Sequence, residues 1–353
     1  MSDESRTRRD FIKAASAAAV GAALTSAQAA EPKAEPPKAV DASRILNYNP
    51  KMGYRRLGKT GIMISEVSLG GHSSGDVENR AQVLTRAAEL GLNYLDTNIV
   101  GENELYGRAL RGNRNRWHIG FASWPEKLTT DHEKNLTKEG MIREIEGRLK
   151  HYQTDVLDLW RPVGATWGPG QNAVPTLLTI SNRVLDMVAE VFEKVNKEGK
   201  VRWLGISAHN PKVFRNVLEH YPQFSVIIFP YLFLTKELGG ESLLELARQK
   251  DVGVIGLKPF GAGAVFGLRP NELKGALDAN AHVLVKRMLG EPRLSAIIPG
   301  VNTVEQLAEN VRGSYERDQP LAPKEQSLLR EYERTFRASL PPEYHWLRHW
   351  ETV

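Results

Sequence analysis

Between residues 67 and 313 the chain repeats one alternation eight times: a short run of β-branched, aromatic and aliphatic residues, then a stretch whose apolar residues recur with helical spacing. The runs fall at 67–70, 94–97, 118–122, 156–160, 202–207, 226–230, 254–258 and 296–299. The helical stretches fall at 78–90, 103–110, 138–151, 180–198, 211–220, 241–250, 280–289 and 303–313. Short apolar runs between helices read as strands covered on both faces, which is the habit of parallel sheets. Eight such units predict an α/β fold of the (β/α)8 TIM-barrel type, whose sites gather in the loops after the C-terminal strand ends. An open doubly wound sheet is the alternative; it is disfavoured because Gly70-Gly71-His72, not a G-x-G-x-x-G turn, follows the first strand.

The flanking segments complete the layout. Residues 55–65 read as a β-hairpin with Lys59-Thr60-Gly61 as its turn, ahead of the barrel. The barrel is expected over 54–320, and a C-terminal helix and tail over 321–353. The aromatic and basic run Tyr344-His345-Trp346-Leu347-Arg348-His349-Trp350 is expected to pack back on the barrel. A chain of 353 residues with 41% hydrophobic and 25% charged residues accommodates one barrel of ~250 residues with additions. The formal charge of +5 is spread among interspersed acids and bases, a solvated mixed surface and not a nucleic-acid groove. Cysteine is absent, which excludes disulfides, thiolate nucleophiles and cysteine-ligated metals. His72 and His209, which follow strand ends, lack i, i+4 ligand spacing, so no metal is expected there.

The N-terminus reads as an address. Thr7-Arg8-Arg9-Asp10-Phe11-Ile12-Lys13 resembles a twin-arginine export signal, and it precedes a mildly apolar run from Ala14 to Leu24. Ala27-Gln28-Ala29 supplies a small-x-small cleavage site, so residues 1–29 are expected to be removed, leaving no membrane span. The implied partner is the twin-arginine export machinery and the implied location periplasmic or extracytoplasmic. Residues 30–53, opening with Pro, Lys and Glu, are expected to be a disordered linker.

Five short motifs in order resemble the aldo-keto reductase superfamily: Tyr54-Arg55-Arg56-Leu57-Gly58, Val67-Ser68-Leu69-Gly70-Gly71, Leu92-Asn93-Tyr94-Leu95-Asp96-Thr97, Gly199-Lys200-Val201-Arg202-Trp203-Leu204-Gly205-Ile206-Ser207 and Ile298-Pro299-Gly300-Val301-Asn302-Thr303. The resemblance implies a barrel opened by a bottom hairpin, an extended NADP or NAD across the C-terminal mouth, and hydride transfer to a small carbonyl or another polar metabolite. Hydride addition builds charge on the carbonyl oxygen, so a proton donor must stand within hydrogen-bond reach. The family pattern uses a tyrosine, a lysine paired to an aspartate, and a histidine. Asp96 matches the aspartate. Val100 stands where the tyrosine would be, Trp124 at the lysine position, and Trp160 or Val163 at the histidine position, according to register.

Replacement acid–base groups are therefore sought among Asp96, His72, His209 and Tyr106, with Trp124, Trp160 and Arg161 lining a substrate site. For the cofactor the resemblance implies Gly70 and Gly71; Ser207 at the nicotinamide amide; Lys258, Pro259, Phe260, Gly261 and Gly263 in a loop over the pyrophosphate; and Pro299, Gly300, Asn302, Gln306, Glu309 and Asn310 at the opening of the last barrel helix. A catalytically inactive ligand-binding barrel, or another reaction class on the same fold, are the alternatives.

Overall fold

The computed structural model describes residues 41–70, 76–98, 100–123, 136–162, 180–236, 242–261, 265, 280–339 and 350. A hairpin, β1 (Tyr54–Arg56) and β2 (Met63–Ser65), pairs antiparallel with Arg55 opposite Ile64. The chain then alternates α1 (Val77–Glu89), β3 (Tyr94–Thr97), α2 (Val100–Ala109), β4 (His118–Ser123), α3 (Lys138–Tyr152), β5 (Leu157–Pro162), α4 (Asn182–Lys197), β6 (Val201–Ser207), α5 (Pro211–His220), β7 (Phe224–Pro230), α6 (Leu243–Gln249), β8 (Gly253–Leu257), α7 (Ala281–Leu289), β9 (Ala296–Ile298), α8 (Val304–Tyr315) and α9 (Pro323–Ser339). Strands β3 to β9 form one seven-stranded parallel sheet in sequential order. The run at 67–70 takes the eighth place through two parallel bridges, Val67 with Ile297 and Leu69 with Leu95. Its backbone carries the closure: the Ser68 amide donates to the Ile297 carbonyl (3.0 Å) and the Asp96 amide to the Leu69 carbonyl (3.0 Å). The (β/α)8 architecture and the hairpin are thus as the sequence predicts.

Two apolar layers follow from the strand period of two. Inward residues Tyr94, Leu159, Val226, Ile228, Ile255, Ala296 and Ile298 fill the barrel, with Leu57 and Ile64 of the hairpin plugging its N-terminal end. Outward residues, among them Leu95, Phe121, Trp160, Ile227 and Phe229, pack under the helices. Docking of the hairpin needs Gly58, whose φ is 49° and whose Cβ, if present, would lie 2.1 Å from the Gly253 nitrogen. The helices start where the sequence supplies caps: side chains of Asp76, Thr137, Ser181, Asn210, Ser242 and Thr303 each accept a backbone N–H of the first turn. Among the described residues no helix is long and apolar enough to cross a membrane.

The segment expected to be a linker ends earlier than 53. Residues 42–53 are anchored: Ile45 and Met52 are buried, Asn47 Nδ2 donates to the Leu92 carbonyl (2.7 Å), and the Asn49 amide donates to Tyr54 Oη (2.8 Å). Single apolar anchors and asparagine bonds replace the periodic pattern by which order is read from sequence. Residues 1–40, with the expected signal, lie outside the described residues. At the other end, Trp350 is fully buried and stacks on Phe229 at 5.0 Å and 15°, while the rest of the run expected to pack back, 344–349, lies outside the described residues. Three helices are pinned together by His282, whose ring nitrogens face Glu309 of α8 (2.5 Å) and Glu325 of α9 (3.1 Å).

Asp158, buried on β5, ties three strands. It accepts from the Ile119 amide (2.8 Å), Arg114 Nη2 (3.3 Å) and Arg202 Nη1 (2.5 Å). Burial alone would raise its pKa, but His118, Arg114 and the Ile119 amide outweigh it and hold the carboxyl below its ordinary value of 3.8. A group depressed in the folded state stabilises above its unfolded pKa and loses that contribution as pH falls through the folded value. Asp158→Asn should therefore cost about 3 kcal/mol near neutrality. Urea unfolding of both proteins should show the gap narrowing below about pH 4.

Candidate active site

The C-terminal end of the barrel lumen carries a polar cluster above the apolar plug. Asp96 is the second inward residue of β3, and Arg161 the last inward residue of β5, in phase with Leu159. They meet across β4, whose facing positions are small: Gly120 is in register with Asp96 and Leu159, Ala122 with Arg161. A Cβ on Gly120 would stand 2.1 Å from Tyr94 Oη and 2.7 Å from Asp96 Oδ2, so the bare glycine lets the two side chains cross. Arg161 clasps the carboxylate in bidentate fashion, Nε donating to Oδ2 (3.0 Å) and Nη2 to Oδ1. Its third nitrogen, Nη1, donates to Ser207 Oγ on β6 (2.7 Å), and Tyr94 Oη donates to Asp96 Oδ2 (3.1 Å). Asp96 and Arg161 are each 4% exposed. Burial, and after it the Asp96 charge, push the Tyr94 phenol far above its ordinary pKa, so that hydroxyl keeps its proton.

Lys258 follows β8 directly, in the left-handed region at φ 57°. Its turn is closed by the Gly261 amide donating to the Lys258 carbonyl (2.8 Å), with Gly261 itself at φ 62°. Burial, and then repulsion by Arg161, bring the Lys258 ammonium down from 10.5 to about 8. Pro259 and Phe260, the two central residues of this turn, are buried. Across the barrel seam, Gly70 packs against Ile298 so tightly that a Cβ would come within 2.3 Å of Cγ2.

The remaining expected residues are placed as follows. Tyr106 is buried between α1 and α2; its hydroxyl donates to the Gly70 carbonyl (3.3 Å) and its ring lies 5.3 Å from the Arg80 guanidinium carbon. It stands in the outer core and not over the lumen. Trp160 is also outward, buried under the helices, because its neighbour Arg161 takes the inward position. The expectation that Trp160 lines the mouth is thereby corrected. His209 is buried two residues beyond Ser207. Gln306 Oε1 accepts the Asn302 amide (2.9 Å), Glu309 holds His282, and Asn310 is buried. Gly300 faces open space, with nothing within 4 Å of where a Cβ would stand. His72, Gly71, Trp124 and Gly263 lie outside the described residues.

A profile described as the Aldo/keto reductase family matches residues 66–278. The chain belongs to the aldo/keto reductase family. An oxidoreductase of Bacillus subtilis, YqkF, is 28% identical over 307 residues, spanning 75% of this chain and 92% of its own length. L-galactose dehydrogenase of Arabidopsis thaliana is 23% identical, spanning 74% of this chain and 88% of its own. Among solved structures, the holo form of an aldo-keto reductase from Bacillus halodurans superposes with a TM-score of 0.60 at 21% identity, covering 80% of this chain and 96% of that one. The last comparison speaks for the fold alone.

Within this family pattern the aspartate keeps its place, but its cation comes from β5 and not from the end of β4. Arg161, expected from the sequence to meet substrate, is the partner of Asp96. The signal that could have identified it is the two-residue alternation: with Leu159 inward, residue 161 must be inward too. An ion pair this deep in the lumen is costly to break from one side, because the survivor is left charged and desolvated. Arg161→Met should destabilise the fold by about 3–5 kcal/mol, and Asp96→Leu combined with it should recover a large part of that loss in chemical denaturation.

Proposed function

We propose that this aldo/keto reductase-family protein interconverts a carbonyl and an alcohol at the C-terminal mouth of its barrel, with NADP or NAD as hydride carrier. The carrying observation is the convergence of Asp96, Arg161 and Ser207 from three strands onto one end of an otherwise apolar lumen. A buried ion pair is a poor source of stability, so its place at the end of the barrel where sites form speaks for a working role.

The residues present fit a dinucleotide along most of its length. Gly300 exposes backbone at the opening of α8, and the paired left-handed residues Lys258 and Gly261 form a tight turn with a cation beside it. Pro299 and Gly70 border the same seam between 67–70 and β9, and the Asn302 carbonyl accepts from Asn79 Nδ2 of α1 (3.2 Å). Ser207, held by Arg161, would meet the nicotinamide end. On the adenine side Asn310 is buried, and Glu309 and Gln306 are held by His282 and the Asn302 amide, so that end would have to exchange partners. When bound, the reduced nicotinamide supplies the hydride. The chain's own groups then have separate tasks: Arg161 fixes the carboxylate of Asp96 and the hydroxyl of Ser207 in one orientation, and the inward aliphatic residues exclude water from below. Such preorganised dipoles need no rearrangement as charge builds on the substrate oxygen. The relative named for L-galactose supports a small polar carbonyl or polyol as substrate.

Two measurements test this reading. Fluorescence titration with NADH and NADPH should show saturable binding of at least one, together with oxidation of the bound nucleotide by small aldehydes; binding of neither sinks it. Export by the twin-arginine machinery to a periplasmic or extracytoplasmic location is part of the same proposal, supported by Arg8-Arg9 and the following apolar run. Replacing both arginines by lysine should hold the protein in the cytoplasm, and undiminished export would refute the address.

A further inference from the structure

We propose that His282, Glu316 and Glu325 form a binding site for one divalent transition-metal ion of the zinc class, set among the outer helices where α7, α8 and α9 meet. The inference is separate from the oxidoreductase reading, and neither depends on the other.

Geometry comes first. His282 stands in the first turn of α7 and is buried. Its Nδ1 faces Glu309 Oε1 of α8 (2.5 Å), and its Nε2 faces Glu325 Oε1 of α9 (3.1 Å). Glu316, the residue that ends α8, closes a third side. One ligand atom from each of His282, Glu316 and Glu325 lies within 4.8 Å of the others, and among the described residues no other three such side chains converge in this way. Ligands held about 2.0–2.1 Å from a tetrahedral ion stand about 3.3 Å apart, so a small rotation of the glutamates closes the site.

The histidine is prepared for an ion. A carboxylate only accepts, so Nδ1 beside Glu309 carries the ring proton, and the neutral ring presents its lone pair at Nε2. A carboxylate behind a histidine is the device that fixes the tautomer and orientation of a metal-binding imidazole. A proton on Nε2 satisfies Glu325 alone, whereas a divalent ion takes Glu316 as well. The outer contacts hold both carboxylates in place. The Ala322 amide donates to Glu325 Oε2 (2.8 Å), leaving Oε1 towards the ring, and Arg312 Nε donates to Glu316 Oε1 (2.7 Å).

Charge and access agree. Glu309, Glu316 and Glu325 face the cations Arg312 and Lys286, three negative charges against two positive, so the incoming ion meets a negative surplus. The three glutamate side chains are 20%, 26% and 19% exposed, which gives an ion a way in from solvent while the imidazole stays shielded. One imidazole with two carboxylates suits Zn2+ and its neighbours Mn2+, Fe2+ and Co2+; Ca2+ and Mg2+ take oxygen ligands. Because the ligands come from three helices, the ion ties α9 to α7 and α8, and its binding is read as stability.

The test uses the full chain, stripped with EDTA. Calorimetric titration with ZnCl2 should show a site with Kd below ~10 μM, and zinc at 100 times Kd should raise Tm by at least ~4 °C. Glu316→Gln and Glu325→Gln keep an acceptor for Arg312 and for the Ala322 amide while removing the charge. Each should weaken zinc ~100-fold and abolish the rise in Tm, yet melt within ~2 °C of wild type in EDTA. Zinc held elsewhere, for instance by the i, i+4 pair His345 and His349, is indifferent to both substitutions. An unchanged Kd in the variants therefore overturns the site, as does a wild-type Kd above ~10 μM. A third readout needs no variant. In wild type carrying 15N histidine, one ring with a slowly exchanging Nδ1 proton should shift at Nε2 when zinc is added, and the absence of such a ring overturns the proposal as well.

Discussion

The buried pair of Asp96 and Arg161 is the constraint around which the working end of this barrel is arranged. Two opposite charges on strands separated by a third can meet only if that third strand has no side chain in the way, since neighbouring strands lie ~4.8 Å apart. Gly120 and Ala122 meet that condition on β4. The pair is then completed by neutral donors and acceptors, Tyr94 below and Ser207 beside, so that the oxygens of Asp96 and the three nitrogens of Arg161 have partners in the lumen. Satisfied in this way a buried ion pair is tolerated; unsatisfied in any part it is a liability.

The same arrangement changes the chemistry available at the mouth. Where the family pattern has a lysine on the aspartate raising the acidity of a tyrosine, this chain has an arginine on the aspartate, and the tyrosine that reaches it, Tyr94, donates from below and keeps its proton. The arginine is a fixed cation and orients its neighbours without taking part in proton traffic. Burial, and after it the charge of Arg161, loosen the ammonium proton of Lys258.

Much of the fold was legible because its cause is local. Buried parallel strands demand apolar runs, helices between them demand an amphipathic period, and both survive in the letters of the chain. The closing strand at 67–70 was readable as a run although it forms only two bridges, because closure needs its backbone groups more than its length. Residues 42–53 were not readable as ordered, since their anchors are isolated asparagines and single apolar residues. At the site, Asp96 was legible from its motif, and the stance of Trp160 was not, because it depends on which parity of β5 faces the lumen.

By itself the sequence determined the eightfold barrel, the hairpin beneath it, the family and the end at which chemistry collects. These follow from periodicities and motifs contained within short windows. Only the tertiary structure decided that Arg161 and not a β4 lysine meets Asp96, that Tyr106 belongs to the outer core, and that Lys258 feels Arg161. Each of these joins residues 26 to 97 positions apart. The side a strand turns inward, and the electrostatic reach between strand ends, exist only once the sheet has closed.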